Sequence, residues 1–374
     1  MSMRSRCLPT SPAFETLEPR QLLSDAGGLN HGQFFTQTNL ASDIPGLAAH
    51  FDPKLKNPWG MSFGPTTPIW ISDNMSGFAT LYAGDGTPQA LQVTIPGADG
   101  IDGDGMPTGQ VFNSTASSFV VSRGGKSGKA TFIFAGEDGV ISGWSPAVSG
   151  NHAVIAVNVP ANNAVYKGLA LAQSGGQDYL YAADFHNGRI DVFNSSFAPQ
   201  NWAGAFSDKK IPAGFAPFNV QNLGGNLYVT YAKQDADAHD DVARAGNGFV
   251  DEFDTAGHLI KRFEHVDALN SPWGVAIAPD SWGKFGGNLL VGQFGSGQIA
   301  AFNRDSGHFH GLLRNKDGTP VQNDGLWGIA FGNGARGTDT NTLYFTAGLN
   351  DEADGLFGSL NINFGRGNEN NDLD

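Results

Sequence analysis

Apolar residues along this chain fall into short β-type runs separated by turns, and the runs recur in a fixed order. The clearest signal is a glycine followed five residues later by a large apolar residue, as in Gly77–Tyr82, Gly139–Trp144, Gly188–Phe193, Gly248–Phe253, Gly297–Phe302 and Gly355–Leu360. Each copy reads as a strand leaving a glycine turn. Ahead of each lies a second run: Pro68–Ser72, Ala130–Ala135, Tyr179–Ala183, Leu227–Ala232, Leu289–Gly292 and Leu343–Ala347. Further upstream comes a third: Trp59–Phe63, Thr108–Phe112, Lys167–Ala172, Phe218–Leu223, Trp273–Ala278 and Trp327–Phe331. A fourth follows the glycine strand, for example Leu91–Ile95, Leu259–Phe263 and Phe309–Leu313. The pattern predicts four short strands, a to d, repeated six times.

A lone four-stranded sheet cannot bury both faces, whereas six arranged radially bury each against its neighbours. The expected fold is therefore all-β: a six-bladed, NHL-like β-propeller with four-stranded antiparallel blades. The sixth repeat turns polar after Ile362 and lacks a strand d. The strand-like segment from Gln33 to Leu40 is expected to pair with strand c of the last blade and close the ring, removing an open sheet edge. The organisation that follows is a leader over 1–32, the propeller over 33–362 and a polar tail over 363–374.

Composition fits this reading. Charged residues make up 16% of the chain and glycine 52 of its 374 positions, against about 25% and 7% in ordinary soluble proteins. The single cysteine, Cys7, leaves the fold without a disulfide. A net charge of −14 opposes general affinity for nucleic acid, which needs clustered Lys and Arg. No apolar run is long enough to cross a membrane as a helix, and a monomer is expected.

Several of these stretches are distinctive: Asn39–Gly60, Ala164–Ala172, Pro212–Asn222, Leu227–Ala236, Leu269–Pro279 and Leu343–Ser359. They resemble an uncharacterised family of exported bacterial propellers, some of whose members carry PEP-CTERM sorting tails. In the leader, Leu17–Arg20 with Leu22 and Leu23 resembles the LEPR-XLL motif of bacterial surface proteins. The resemblance implies a propeller and an extracellular or envelope destination, and implies no reaction.

Candidate chemistry comes from the b–c loops, which open with the d–a turns on one propeller face. These loops hold eleven carboxylates, among them Asp73, Glu137, Asp138, Asp184, Asp351, Glu352 and Asp354. Oxygen-rich clusters suit a hard cation such as Ca²⁺ or a cationic ligand, and His186 or His239 adds nitrogen for a transition metal. Asp, Asn and Gly are equally what β-turns require for their own geometry. Asn57, Trp59, Asn270, Trp273, Asp324 and Trp327, at the d–a turns and the starts of inner strands, are candidate ligand contacts. The tryptophans either stack on a sugar at the channel mouth or pack between adjacent blades. Two readings follow: a binding propeller that takes a small molecule, glycan or protein on its acidic face, or a Ca- or Zn-dependent hydrolase or lyase in the channel.

Known motifs fail. The acidic loop from Asp235 lacks the glycine and terminal glutamate of a calcium-binding EF-hand loop. Gly60–Gly64 matches a nucleophile elbow but lies within a strand. Arg123–Lys129 lacks the first glycine of a phosphate loop and reads as a basic a–b hairpin.

Overall fold

The computed structural model describes residues 32–159 and 162–365, and over these the chain forms six antiparallel sheets set around an axis. Blade 1 comprises Pro58–Ser62, Ile69–Asp73, Phe78–Tyr82 and Val93–Thr94. Blade 2 comprises Pro107–Phe112, Phe132–Gly136, Val140–Trp144 and Val154–Asn158. Blade 3 runs from Tyr166–Ser174, its inner strand, to Pro199–Gln200. Blade 4 runs from Phe215–Leu223 to Leu259–Arg262. Blade 5 runs from Pro272–Ile277 to Phe309–Leu312. Blade 6 contains Leu326–Phe331, Leu343–Leu349 and Asp354–Phe364. Strands b of blades 1, 2 and 5 are buried at every position, which is why they read as continuous apolar runs rather than alternating ones.

The ring closes as the pattern requires. Gln33–Ser42 lies antiparallel to Asp354–Phe364 over nine paired positions, with a bulge between Asn39 and Ala41. Phe35 is 2% exposed and packs on Trp282 and Phe285 of blade 5, at ring-centroid distances of 5.0 and 6.1 Å. Two features depart from a plain four-stranded plan. His50–Phe51 adds a short parallel strand outside the closing strand, making five in that sheet. Blade 2 also carries an extra hairpin, Val120–Arg123 with Lys126–Lys129, in its a–b connection, and Arg123 there is paired with Asp102 at 3.0 Å.

The inner strands approach closely because five of the six carry glycine at their narrowest point. A Cβ on Gly60, Gly109, Gly274 or Gly328 would run into backbone of the next blade. In blade 4 the corresponding residue is Asn219, whose amide reaches across to the carbonyl of Trp273 at 2.9 Å. The ring of glycines sets the width of the channel. What fills it is set by the residue just before each glycine.

Candidate functional site

Those preceding residues are Trp59, Thr108, Lys167, Trp273 and Trp327, with Phe218 preceding Asn219. Trp59 and Trp327 stack with centroids 3.5 Å apart, and Trp273 meets both edge-on at 6.1 and 5.8 Å. Phe218 lies 5.7 Å from Trp327. Blades 1 and 5, like blades 4 and 6, are not neighbours, so these contacts cross the channel. The three tryptophans are only 1–3% exposed. They stand neither at an open mouth nor between adjacent blades alone; they form an aromatic plug on the axis.

Lys167 sits on the side of this plug that faces the b–c loops. Its side chain is 2% exposed, and its ammonium lies 5.2 Å from the Trp59 ring centroid. It is paired with Glu137 from the b–c loop of blade 2 and, at 3.2 Å, with Asp240 from that of blade 4. Burial alone works to lower the pKa of this lysine, but the two carboxylates outweigh it and hold the amine charged. Asn74 of blade 1 donates to the other Glu137 oxygen at 2.8 Å. His239 lies 2.9 Å from Asp240.

Glu352 approaches from blade 6. It accepts a hydrogen bond of 2.6 Å from Asn57, whose own oxygen accepts the Trp327 indole N–H at 2.9 Å. Asn350, Asp351 and Glu352 all have positive φ, at 54°, 52° and 67°. Left-handed backbone at three successive non-glycine residues is costly and persists only where the surroundings enforce it. Here it turns Glu352 toward the centre. Burial, followed by the charges of Glu137 and Asp240, pushes the Glu352 carboxyl up to about 7 against the opposing Asn57 hydrogen bond and Lys167.

Two cavities flank this centre. One, of about 450 Å³, lies between blades 5 and 6 and is lined by Phe294, Ser296, Asp324, Asp351 and Glu352 among others. The other, of about 400 Å³, lies between blades 2 and 4 and includes Glu137, Asp138, His186, Asp237 and His239.

The sequence candidates thus separate. Glu137 and Glu352 reach the centre; Asp138, His186, Asp324 and Asp351 line the flanking cavities. Asp73 and Asp184 end strands b, are 0% exposed, and bond within their own blades, to Thr80 at 2.7 Å and Asn187 at 2.7 Å. Asp354 pairs with Asn350 and Lys56. Asn270 carries a buried amide oxygen with no partner among the described residues. For a metal, the one group of ligand atoms within 4.8 Å of one another among the described residues is Glu137, His239 and Asp240. Lys167 and Asn74 were not singled out from the sequence. The signal for Lys167 was present, because Lys-Gly stands in blade 3 where Trp-Gly stands in three other inner strands.

The raised Glu352 pKa carries a sign. Unfolded, this carboxyl loses its proton near 4.5, and folded near 7. Between these values the folded state holds more protons, so stability falls as pH rises and is fully retained only below about 4.5. Asp251, fully buried and also pushed up to about 7 by burial and by Asp208, acts the same way. The expected result is an unfolding free energy, from urea titration, that drops from pH 5 to pH 8, with Glu352→Gln removing about 2 kcal/mol of that drop. An equal pH slope in the variant would contradict the assignment.

No protein-family model matches the chain. Two structures resemble it in outline: a streptogramin B lyase (12% identity, TM-score 0.49, covering 88% of this chain and 98% of that one) and a glucose dehydrogenase (15%, 0.49, 87% and 99%). At such values they carry no argument about activity. The uncharacterised protein R648 of Acanthamoeba polyphaga mimivirus is 32% identical over 326 residues, covering 86% of this chain and 78% of that protein. Protein L690 of the same virus is 32% identical over 320 residues, covering 84% and 82%. These viral relatives overturn the resemblance to an exported bacterial family, and the envelope destination it implied loses its support. The LEPR-like string itself lies outside the described residues. No helix among the described residues is long and apolar enough to cross a membrane. The chain belongs to the family of the uncharacterised mimivirus proteins R648 and L690.

Proposed function

We propose that the protein is a binding propeller whose b–c loop face takes a small organic cation, an amine, at the channel mouth. The observation that carries this is the meeting of Glu137 and Asp240, from blades 2 and 4, on one buried ammonium, that of Lys167, with Glu352 of blade 6 close enough for these charges to act on its carboxyl. Lys167 shows the chemistry that the mouth accommodates: an ammonium held by two carboxylates beside an indole. The cavities beside it offer more of the same without a cation of their own. Asp138, Asp237, Asp324 and Asp351 make no salt bridge among the described residues. Such uncompensated charge in a concave surface raises the local concentration of cations.

A second reading is a metal-dependent enzyme, favoured by the Glu137, His239 and Asp240 group. Against it stands Lys167, whose ammonium already occupies two of those three carboxylate and imidazole partners. A divalent ion would have to displace it.

One thermal-shift series separates the readings, using chelator-treated protein with putrescine, 1,4-butanediol, Ca²⁺ or Zn²⁺. At about 10 mM ligand, putrescine is expected to raise Tm by several degrees and butanediol by none, with the putrescine shift lost in Glu352→Gln. Equal shifts from diamine and diol, or none from either, would overturn the amine reading. A shift produced by Ca²⁺ or Zn²⁺ alone would favour the metal.

A further inference from the structure

Below the aromatic plug, on the side of the a–b connections, the channel opens again into a cavity of about 400 Å³ lined by all six inner strands. Among the described residues its walls contain no Asp, Glu, Lys, Arg or His. In a chain with 36 acidic residues and a crowded acidic mouth at the other end, that neutrality sets the two compartments apart.

The walls differ from one another. Blades 1, 3 and 6 contribute mainly apolar groups, notably Met61, Phe63, Leu171 and Ile329, with the Ser62 hydroxyl among them on blade 1, while blades 2 and 4 add the amides of Gln110, Asn219, Gln221 and Asn222. Met61, Phe63 and Leu171 are only partly buried, so the cavity is reached by solvent with an apolar wall exposed to it. The amides are held in place. Gln110, 6% exposed, donates both hydrogens, to the carbonyls of Gly60 at 2.8 Å and Trp70 at 2.7 Å. Asn222 donates to the carbonyl of Leu171 at 2.8 Å. Two acceptors are left over: Gln110 Oε1 and Ser62 Oγ are buried and have no partner among the described residues. An orphaned buried polar atom costs about 1–3 kcal/mol, and these two belong to residues that line the cavity from blades 2 and 1.

From this we infer that the lower compartment is a second binding site, for an uncharged small molecule that lays an apolar face on blades 1, 3 and 6 and gives hydrogen-bond donors to the amide side. A charged ligand would be stripped of water with no countercharge to meet it. The volume lies within the range of small-molecule pockets. The buried plug separates this site from the acidic mouth, so the two bind independently.

Three matched probes test it, sharing one ring and differing in charge: benzamide, benzoate and benzylammonium, followed by saturation-transfer NMR. Benzamide is expected to bind the intact protein, and to bind Glu352→Gln equally. Ala330→Trp, which fills the cavity from blade 6, should weaken benzamide at least fivefold; Leu171→Trp, from the opposite wall, serves if the first variant does not fold. Benzoate should show no saturable transfer, and any benzylammonium signal should survive Ala330→Trp. No binding of benzamide, binding unchanged in the filled variants, or benzoate bound as well as benzamide would each overturn the proposal.

Discussion

Removing residues 33–42 abolishes the cooperative fold or lowers its melting temperature by about 7 °C or more. The strand contributes nine paired positions to the last blade, and without it Asp354–Phe364 becomes an open edge (only the short His50–Phe51 pair lies beyond it). Phe35, Leu40 and Ala41, 0–6% exposed, leave their cores. Ties to blade 5 go as well: the Phe35 amide donates to the Arg314 carbonyl at 2.9 Å, and Gln37 and Asn323 exchange amide hydrogen bonds at 2.8 and 2.9 Å. Each buried side chain is worth about 2 kcal/mol, so the loss exceeds about 5 kcal/mol before the ladder is counted. At about 1.5 °C per kcal/mol for a domain of this size, side-chain burial alone accounts for about 7 °C. Where the deletion yields no soluble protein, Phe35→Ala carries the same test, with about 3–5 kcal/mol expected in urea unfolding. A deletion variant with an unchanged transition would mean that the ring is held by the other blade interfaces and the strand is an accessory.

That closure was legible in the sequence for a physical reason. A repeat that ends one strand short leaves a sheet edge, and edges must be covered; the only unassigned strand-like segment was Gln33–Leu40. Strands b and c were legible because they are buried on both faces and bounded by glycine turns at Gly77, Gly139 and Gly188, all with positive φ. The channel contents were not legible to the same degree. Trp59, Trp273 and Trp327 look alike in sequence whether they point between blades or across the axis, and the close approach permitted by Gly60, Gly274 and Gly328 decides it. The acidic loops misled in proportion to their acidity. Asp73 and Asp184 stand in the same strand-end position and serve their own turns, while Glu137 and Glu352 turn inward. Nothing in composition separates those pairs. The separation comes from the strained turn at Asn350–Glu352 and from a lysine whose meaning appears only when the six inner strands are aligned on their glycines. His50–Phe51 is too short to carry a periodic signal at all.

Lys167→Met should cost about 3–5 kcal/mol at pH 7, because it leaves Glu137 charged and buried with Asn74 its one remaining hydrogen-bond partner among the described residues. The loss belongs to the stranded carboxylate rather than to the ion pair, and a second substitution separates the two. Lys167→Met with Glu137→Gln removes the charge as well as its partner, so most of the stability should return, since a buried pair replaced by neutral groups is often close to neutral in energy. Asp240→Asn, by contrast, should cost under about 1 kcal/mol, because the Asp240 side chain is 67% exposed and its pair is screened. Urea midpoints for the three variants at pH 7 decide the matter. If Lys167→Met lies within 1 kcal/mol of the parent at pH 7, the charge at the channel mouth is already served by water, and the network around Lys167 holds neither the fold nor a ligand in place.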